Sequence, residues 1–333
     1  MSHVIEERLK NESGNQHIKL PGNIKFLERE QEIEMVLMEE AAGIGEKKMN
    51  MQEDAAFEGW AVILNRYFHK NVILNLDMQS DPEEMKGKWK GNGHFNRFLY
   101  RVMRFWEQYS WFFLSESLEA VLFAEGGFSD WLDANKEKLV NNVPGMMAED
   151  AEANTEKISE NWIEKAMTGE ESILYDIVKG DSPEKNEIFR QLPAGLFLGT
   201  VKAENEVFPG KKAAVDLWTW DEEKFYAFEL KYQNQMVGMI TEIFFYANYL
   251  YDLLVEKNFT LNAKSTGKRG YDNLKENEFD EICGVMTADE MHPLIDEKVL
   301  EILNHNQYTE DDFGITYQIC RYHTDNHKKI ALD

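Results

Sequence analysis

Apolar residues recur at steps of three and four positions through most of the first half of the chain. This spacing places them on one face of a helix, so we predict helices over residues 24–40, 55–69 and 95–123. The pattern ends at a Pro-Gly turn, beyond which residues 149–164 are strongly acidic. We therefore expect a helical region over residues 1–150 and a second domain over residues 151–333.

The second half has a different pattern, in which short runs rich in aromatic and β-branched residues alternate with turns, as is typical of strands. Ser182 followed by Pro183 is a typical helix start. We predict helices over residues 182–192, 235–257 and 296–304, and strands over residues 196–202, 213–220, 224–232, 281–287 and 314–322. The expected fold class is α+β, with a helical amino-terminal region followed by a mixed sheet flanked by helices.

Three charged residues come together if residues 213–232 form the predicted hairpin. Asp216 is followed by Glu229 after twelve residues and by Lys231 two positions later. Alternation along a strand puts Glu229 and Lys231 on one face, while Asp216 lies opposite Phe228 or Glu229, depending on the register. Facing side chains have Cβ atoms about 5 Å apart, so both carboxylates can reach one cation. An alternative is an exposed Glu229–Lys231 ion pair on a strand surface, worth less than about 1 kcal/mol.

A pair of carboxylates beside a lysine suits the hydrolysis of a phosphodiester bond. Mg²⁺ prefers oxygen ligands and keeps several waters, so Asp216 and Glu229 can hold it and leave positions for a water and a phosphate oxygen. The cation acidifies the water and neutralises developing charge, while Lys231 can position the hydroxide and stabilise charge on the phosphate. The predicted cofactor is therefore Mg²⁺, or Mn²⁺ in its place.

This segment resembles the PD-(D/E)xK, or restriction-endonuclease-like, nuclease superfamily. The resemblance covers only the second half of the chain. It implies an αβββαβ core: a helix, a three-stranded meander, a second helix and a further strand. Asp216 then matches the motif aspartate, Glu229 the variable acid and Lys231 the lysine, while Val215 stands where the motif has proline.

The resemblance also implies two further site residues. Many members carry an acid on the helix before the meander, for which Glu187 is the candidate, with Glu184 one turn away. The recombinase-B-like branch has a Gln followed four residues later by a Tyr on the next helix. The residues at this spacing here are Glu242 and Tyr246, so an acid replaces the Gln. Glu187 and Glu242 therefore join the candidate catalytic residues.

Basic residues are outnumbered by acidic ones, and two stretches of the chain group several of them. The chain has 36 Lys and Arg against 61 Asp and Glu, a net charge of −25, so most of its surface repels nucleic acid. One cluster interleaves cations with aromatic residues, and the other lies in the loop at residues 262–275. The candidate nucleic-acid contacts are Lys88, Lys90, Arg97, Arg101, Lys268 and Arg269. The alternative is a helix whose aromatic residues pack inward and whose cations stay solvated.

Composition narrows the class of protein. Hydrophobic residues make up 43% of the chain and aromatic residues 12%, which is enough for a core and excludes a disordered chain. Two cysteines cannot make a disulfide framework or a four-cysteine zinc site. The first residues lack the pattern of a signal peptide, and the most apolar stretch, residues 238–255, contains two acidic residues. We expect a cytoplasmic protein with no membrane partner.

Two functional hypotheses follow from these residues. The first is a Mg²⁺-dependent nuclease that hydrolyses DNA. The second is a catalytically silent nuclease-like domain that serves in binding or assembly. The acidic helical region is a candidate surface for a second copy of the chain or for another protein. Metal binding at Asp216 and Glu229 would separate the two hypotheses.

Overall fold

The fold was determined from a computed structural model, which describes residues 2–44, 51, 55–78, 89, 91–145, 158–169, 171–178, 186–210, 213–305, 314–325 and 329–332. Helices α1 to α8 cover Ser2–Ser13, Phe57–Phe68, Gly93–Gln108, Glu116–Phe123, Phe128–Asn135, Glu160–Ala166, Gly238–Leu250 and Glu297–Asn304. Strands β1 to β13 cover Ile24–Glu28, Glu32–Met38, Asn71–Asp77, Phe112–Leu114, Leu139–Asn141, Phe189–Pro193, Leu196–Leu198, Glu206–Phe208, Ala214–Asp221, Lys224–Lys231, Glu281–Ala288, Ile315–Thr324 and Ile330–Leu332. The protein is a mixed α/β structure with helices packed on its sheets.

The first half contains a four-stranded sheet, so the prediction of an all-helical region is wrong. The sheet order is β1-β2-β3-β4, with β1 and β2 antiparallel and the remaining pairs parallel. Residues 24–40, predicted as a helix, form the β1–β2 hairpin instead. Ile24 and Phe26 are buried while Lys25 between them is exposed, which is the two-residue alternation of a strand. Residues 95–123 are divided between α3, β4 and α4, because Ser115 caps a new helix with its hydroxyl.

The second half is built on a six-stranded mixed sheet in the order β13-β12-β11-β10-β9-β6. Strands β6, β9 and β10 form an antiparallel meander, and β11 and β12 continue the sheet in parallel. The predicted strands at β9 to β12 and the helices α7 and α8 are confirmed. The helix predicted over residues 182–192 is wrong where the chain is described, since Phe189–Pro193 is strand β6. The predicted strand 196–202 is the shorter β7, which belongs to the small sheet β5-β7-β8.

The two larger sheets repeat one arrangement. Each contains an antiparallel hairpin, then a helix, then two further strands that are parallel to the second strand of the hairpin. In each, these four strands lie side by side in the order in which they occur along the chain. In both hairpins a two-residue turn joins the two strands. The turn lies between Arg29 and Glu32 in the first hairpin, and between Asp221 and Lys224 in the second. The first residue of the hairpin's second strand then pairs with the first residue of the next strand, Glu32 with Asn71 and Lys224 with Glu281. This repeat was not predicted from the sequence.

Helix α7 joins the two halves. Every one of its residues is buried, because it packs on β10 and β11 on one side and on α2 on the other. It continues into a π-helical turn, Tyr251–Val255. The boundary expected near residue 150 lies outside the described residues, and one hydrophobic core extends across both halves. No described helix is both long enough and apolar enough to span a bilayer.

Candidate functional site

The hairpin of β9 and β10 brings the two predicted acids together. Leu217 pairs with Phe228, so the next facing pair along the strands is Asp216 and Glu229, one of the two registers predicted. Asp216 Oδ2 accepts a hydrogen bond of 2.9 Å from the backbone N–H of Leu230. Lys231 follows on the same strand face as Glu229. The three residues therefore lie on one face of the sheet, the face covered by α7.

Lys231 is buried among carboxylates. It forms ion pairs with Glu229 and with Glu242 of α7, the second at 3.0 Å. Lys231 and Glu229 are each 3% exposed, so the interpretation as a surface ion pair is wrong. Moving two charges out of water is expensive unless other groups compensate. A protein gains little stability from such an arrangement, which favours a functional reason for it.

Helix α6 supplies two further acids, from the acidic stretch that was not predicted to belong to the site. Glu164 is 5% exposed, and the charges of Glu160 and Glu164 both raise the pKa of Asp216. The N-terminal part of α6 is capped by the Ser159 hydroxyl, which accepts a hydrogen bond from the N–H of Trp162. Glu160 and Glu164 are four residues apart and share a helix face. This spacing is the one sequence feature that could have indicated them.

Strand β6 holds Glu164 beside the site. Its carboxylate accepts hydrogen bonds from Arg190 at 2.8 Å and from the side-chain amide of Gln191 at 2.9 Å. Gln191 has a φ of 56°, and the pairing of β6 with β9 is interrupted at this residue. The interruption falls beside Asp216, a residue that is partly exposed. The backbone pairing of β6 with β9 is therefore open at the position where the acids meet.

The electrostatics of the cluster favour protons on the acids. Burial raises the pKa of Glu229 well above its usual range, and the charges of Asp216 and Glu242 raise it further. Desolvation likewise raises the pKa of Asp216, against the attraction of Lys231. Burial opposes the charge on Lys231, but Glu229 and Glu242 more than offset it and raise the lysine pKa. Lys231 thus stays charged, while Asp216 and Glu229 hold their protons more strongly than in water.

The donor set was tested against a hard divalent cation. Among the described residues there is no group of three or more His, Cys, Asp or Glu side chains arranged to hold a metal ion. Mg²⁺ needs only one or two protein carboxylates, because it keeps most of its waters. Glu229 Oε2 is buried and, within the described part of the chain, has no hydrogen-bond partner. This oxygen and the Asp216 carboxylate on the facing strand are the oxygen donors that Mg²⁺ or Mn²⁺ would use here.

The acids predicted to precede the meander are not brought to the site by the described structure. Glu187 is exposed and precedes β6, where its carbonyl accepts a hydrogen bond from Thr219. Thr219 is three positions from Asp216, about 10 Å along the strand, so the backbone of Glu187 lies away from Asp216, and a role for Glu187 in the site stays a prediction. Glu184 lies outside the described residues.

The predicted nucleic-acid contacts lie in different environments. Arg101 has no exposed surface, and it pairs with Glu58 and the Ala55 carbonyl, so its assignment as a phosphate contact is wrong. Arg97 is buried as well. Arg269 donates a hydrogen bond of 3.0 Å to the Gln191 carbonyl, which brings its loop to the open part of the sheet, while Lys268 is exposed in the same loop. Lys88 and Lys90 lie outside the described residues.

The repeated sheet has no second copy of the acids. The positions equivalent to Asp216, Glu229 and Lys231 in the β1–β2 hairpin are Ile24, Leu37 and Glu39. The described residues thus hold one such site.

No family model, curated protein or solved structure matches this chain. The site must therefore be interpreted from its own geometry and chemistry.

Proposed function

We propose that this chain is a metal-dependent nuclease that hydrolyses DNA, with a restriction-endonuclease-like core in its second half. The order α6, β6, β9, β10, α7, β11, with the short strands β7 and β8 inserted after β6, supports the helix, three-stranded meander, helix and strand that the resemblance implies. The observation that carries the proposal is the facing pair Asp216 and Glu229 with Lys231 buried beside them. A structural role alone gives no reason to bury this lysine near four acids, Glu229, Glu242, Asp216 and Glu160.

Each residue has a chemical role in this proposal. Asp216 and Glu229 would hold the divalent cation, which when bound acidifies water and neutralises charge on the phosphate. Lys231 remains protonated at neutral pH, so it donates to the attacking water or to a phosphate oxygen and stabilises negative charge there. Glu242, 3.0 Å from Lys231, orients the ammonium group. Glu160 and Glu164 extend the acidic surface towards the open side of the sheet.

A catalytically silent module is the second candidate. The ion pairs of Lys231 with Glu229 and Glu242 satisfy the lysine without any ligand, and the described acids do not include a three-ligand metal group. In that case the second half would serve in binding or assembly. Fold alone does not confer activity, so the two candidates need a direct test.

The test is cleavage of single- and double-stranded DNA in the presence of Mg²⁺ or Mn²⁺. We expect cleavage by the wild type, and its loss in Asp216→Asn and in Lys231→Met. Asp221→Asn is the matched control, because Asp221 lies on the same strand β9 but at its far end. No cleavage of any substrate, together with no metal binding by calorimetry, would refute the nuclease proposal and leave the silent module.

A further inference from the structure

Arg97 is a buried cation whose partner is missing from the described part of the chain. It lies on α3, in the first half of the chain, and is 5% exposed. Its Nε is buried and, among the described residues, has no hydrogen-bond partner. Its guanidinium lies 5.5 Å from the centre of the Phe245 ring. Buried charges are normally paired or hydrogen-bonded, so Arg97 needs an explanation.

The next arginine on the same helix shows what a structural arginine looks like here. Arg101 lies one turn from Arg97, and its Nε donates to Glu58 Oε1 at 2.7 Å. Thr241 of α7 completes the set with a hydrogen bond of 3.1 Å to Glu58. Arg101 is thus fully compensated by protein groups. Arg97 lies on the same face of the helix and is similarly buried, but among the described residues it has no such partner.

The acids nearest to Arg97 are already engaged by other donors. Glu242 pairs with Lys231 at 3.0 Å, and Glu206 accepts a hydrogen bond of 3.1 Å from the N–H of Gly210. The charges of Glu242 and Glu206 favour the protonated arginine, but neither carboxylate is in an ion pair with it in the described chain. Burial and the neighbouring Arg101 lower the pKa of Arg97 to about 10, as expected for a cation without a counter-ion.

Arg97 lies beside the carboxylate cluster. Phe245, on which it stacks, is three residues from Glu242 and adjacent to Tyr246, so these side chains occupy one region of α7. Burial raises the pKa of Tyr246, the charges of Glu229, Glu242 and Asp216 raise it further, and the charge of Arg97 opposes them. Tyr246 is therefore near both the acids and the arginine.

We propose that Arg97 binds a phosphate oxygen of the nucleic-acid substrate next to the acid site, so that the site is composed from both halves of the chain. The proposal rests on the nuclease function proposed above. A guanidinium is the side chain best suited to a planar, two-point hydrogen bond with a phosphate. The phosphate supplies the hydrogen-bond acceptor that the described residues do not give to Arg97 Nε.

The experiment separates a ligand-binding arginine from a structural one. Arg97→Met should leave the melting temperature of the metal-free protein unchanged or raise it, since it removes an uncompensated buried charge. In an Asp216→Asn background, which blocks cleavage, Arg97→Met should weaken binding of a fluorescein-labelled DNA oligonucleotide by 10- to 100-fold, measured by anisotropy in Mg²⁺. Arg97→Lys should fold like the wild type and bind with intermediate affinity, because it keeps the charge and loses the two-point geometry.

Three outcomes distinguish the possibilities. If Arg97→Met and Arg97→Lys both lower the melting temperature while oligonucleotide binding is unchanged, Arg97 is structural and the proposal is overturned. If wild type cleaves DNA and Arg97→Met cleaves it with the same KM and kcat, the inference fails while the nuclease function stands. If wild type cleaves nothing but binds the oligonucleotide through Arg97, the anion site stands and the nuclease function fails.

Discussion

Replacing Asp216 by Asn separates a functional carboxylate from a structural one. Asn keeps the shape of the side chain and an oxygen that can accept the hydrogen bond from Leu230, 2.9 Å long in the wild type. It removes one negative charge facing Glu229. Two unit charges about 5 Å apart at an effective dielectric constant of about 20 repel by about 3 kcal/mol. The attraction of Asp216 to Lys231, lost in the same substitution, offsets part of this.

We therefore expect metal-free Asp216→Asn to be more stable than the wild type by about 1–2 kcal/mol at pH 8. A chain of 333 residues has an unfolding entropy of about 0.7 kcal/mol/K, so the melting temperature should rise by about 1.5–3 °C. The pKa of Asp216 is raised on folding, so the folded state holds this proton more strongly than the unfolded chain. Wild-type stability therefore falls as pH rises above about 4, and the advantage of the variant should grow over the same range and vanish near pH 4.

The assay is thermal unfolding at several pH values, with and without Mg²⁺. Mg²⁺ should raise the melting temperature of the wild type, because it binds the folded state only, and should not raise that of Asp216→Asn. Asp221→Asn is the control, and it should stay within about 0.5 kcal/mol of the wild type and keep the response to Mg²⁺. A less stable Asp216→Asn at pH 8, or equal responses to Mg²⁺, would refute the reasoning.

Three further predictions test other parts of the structure. Lys231→Met should lose about 3 kcal/mol of stability at pH 8, because it leaves Glu229 and Glu242 buried without a counter-charge. The loss should be smaller at pH 5. Urea unfolding at both pH values measures it, and a loss that is the same at both would contradict this. Arg101→Met should lose about 3–5 kcal/mol because it breaks a fully buried pair, whereas Lys224→Met, in a more exposed pair, should lose under about 1 kcal/mol. If the chain is a nuclease, supercoiled plasmid should become nicked circle before any linear product forms, because the described residues hold one acid site; linear product appearing first would oppose this.

The sheet that carries the site could be predicted because its strands are locally distinct. Residues 214–221 and 224–231 are dense in β-branched and aromatic residues around a short polar turn, so the hairpin followed from the sequence, although two registers stayed open. Strand β6 has no such pattern, and its five residues are a strand only because they pair with β9. The β1–β2 hairpin was missed because the spacing of Ile33, Val36 and Leu37 also fits a helix face.

The acids of the site were only partly predictable for a different reason. Asp216, Glu229 and Lys231 are linked by a short stretch of chain, and strand alternation places them on one face. Glu164 comes from a helix whose acidic pattern is the same whether it faces water or the sheet, and only the tertiary contact with Arg190 distinguishes the two. Arg97 belongs to the other half of the chain and is brought close by the packing of α3 against α7, which no local pattern records.

The repeated sheet arrangement makes one chain comparable to a dimer whose subunits are covalently joined. In a dimer of identical subunits every substitution is made twice, so neither copy can lose an acid while the other keeps it. In a single polypeptide the halves can diverge: Leu37 stands where the second half has Glu229, while the first half supplies Arg97. Because the halves cannot dissociate, the composite site would stay assembled at any dilution, and its activity per molecule would be independent of protein concentration.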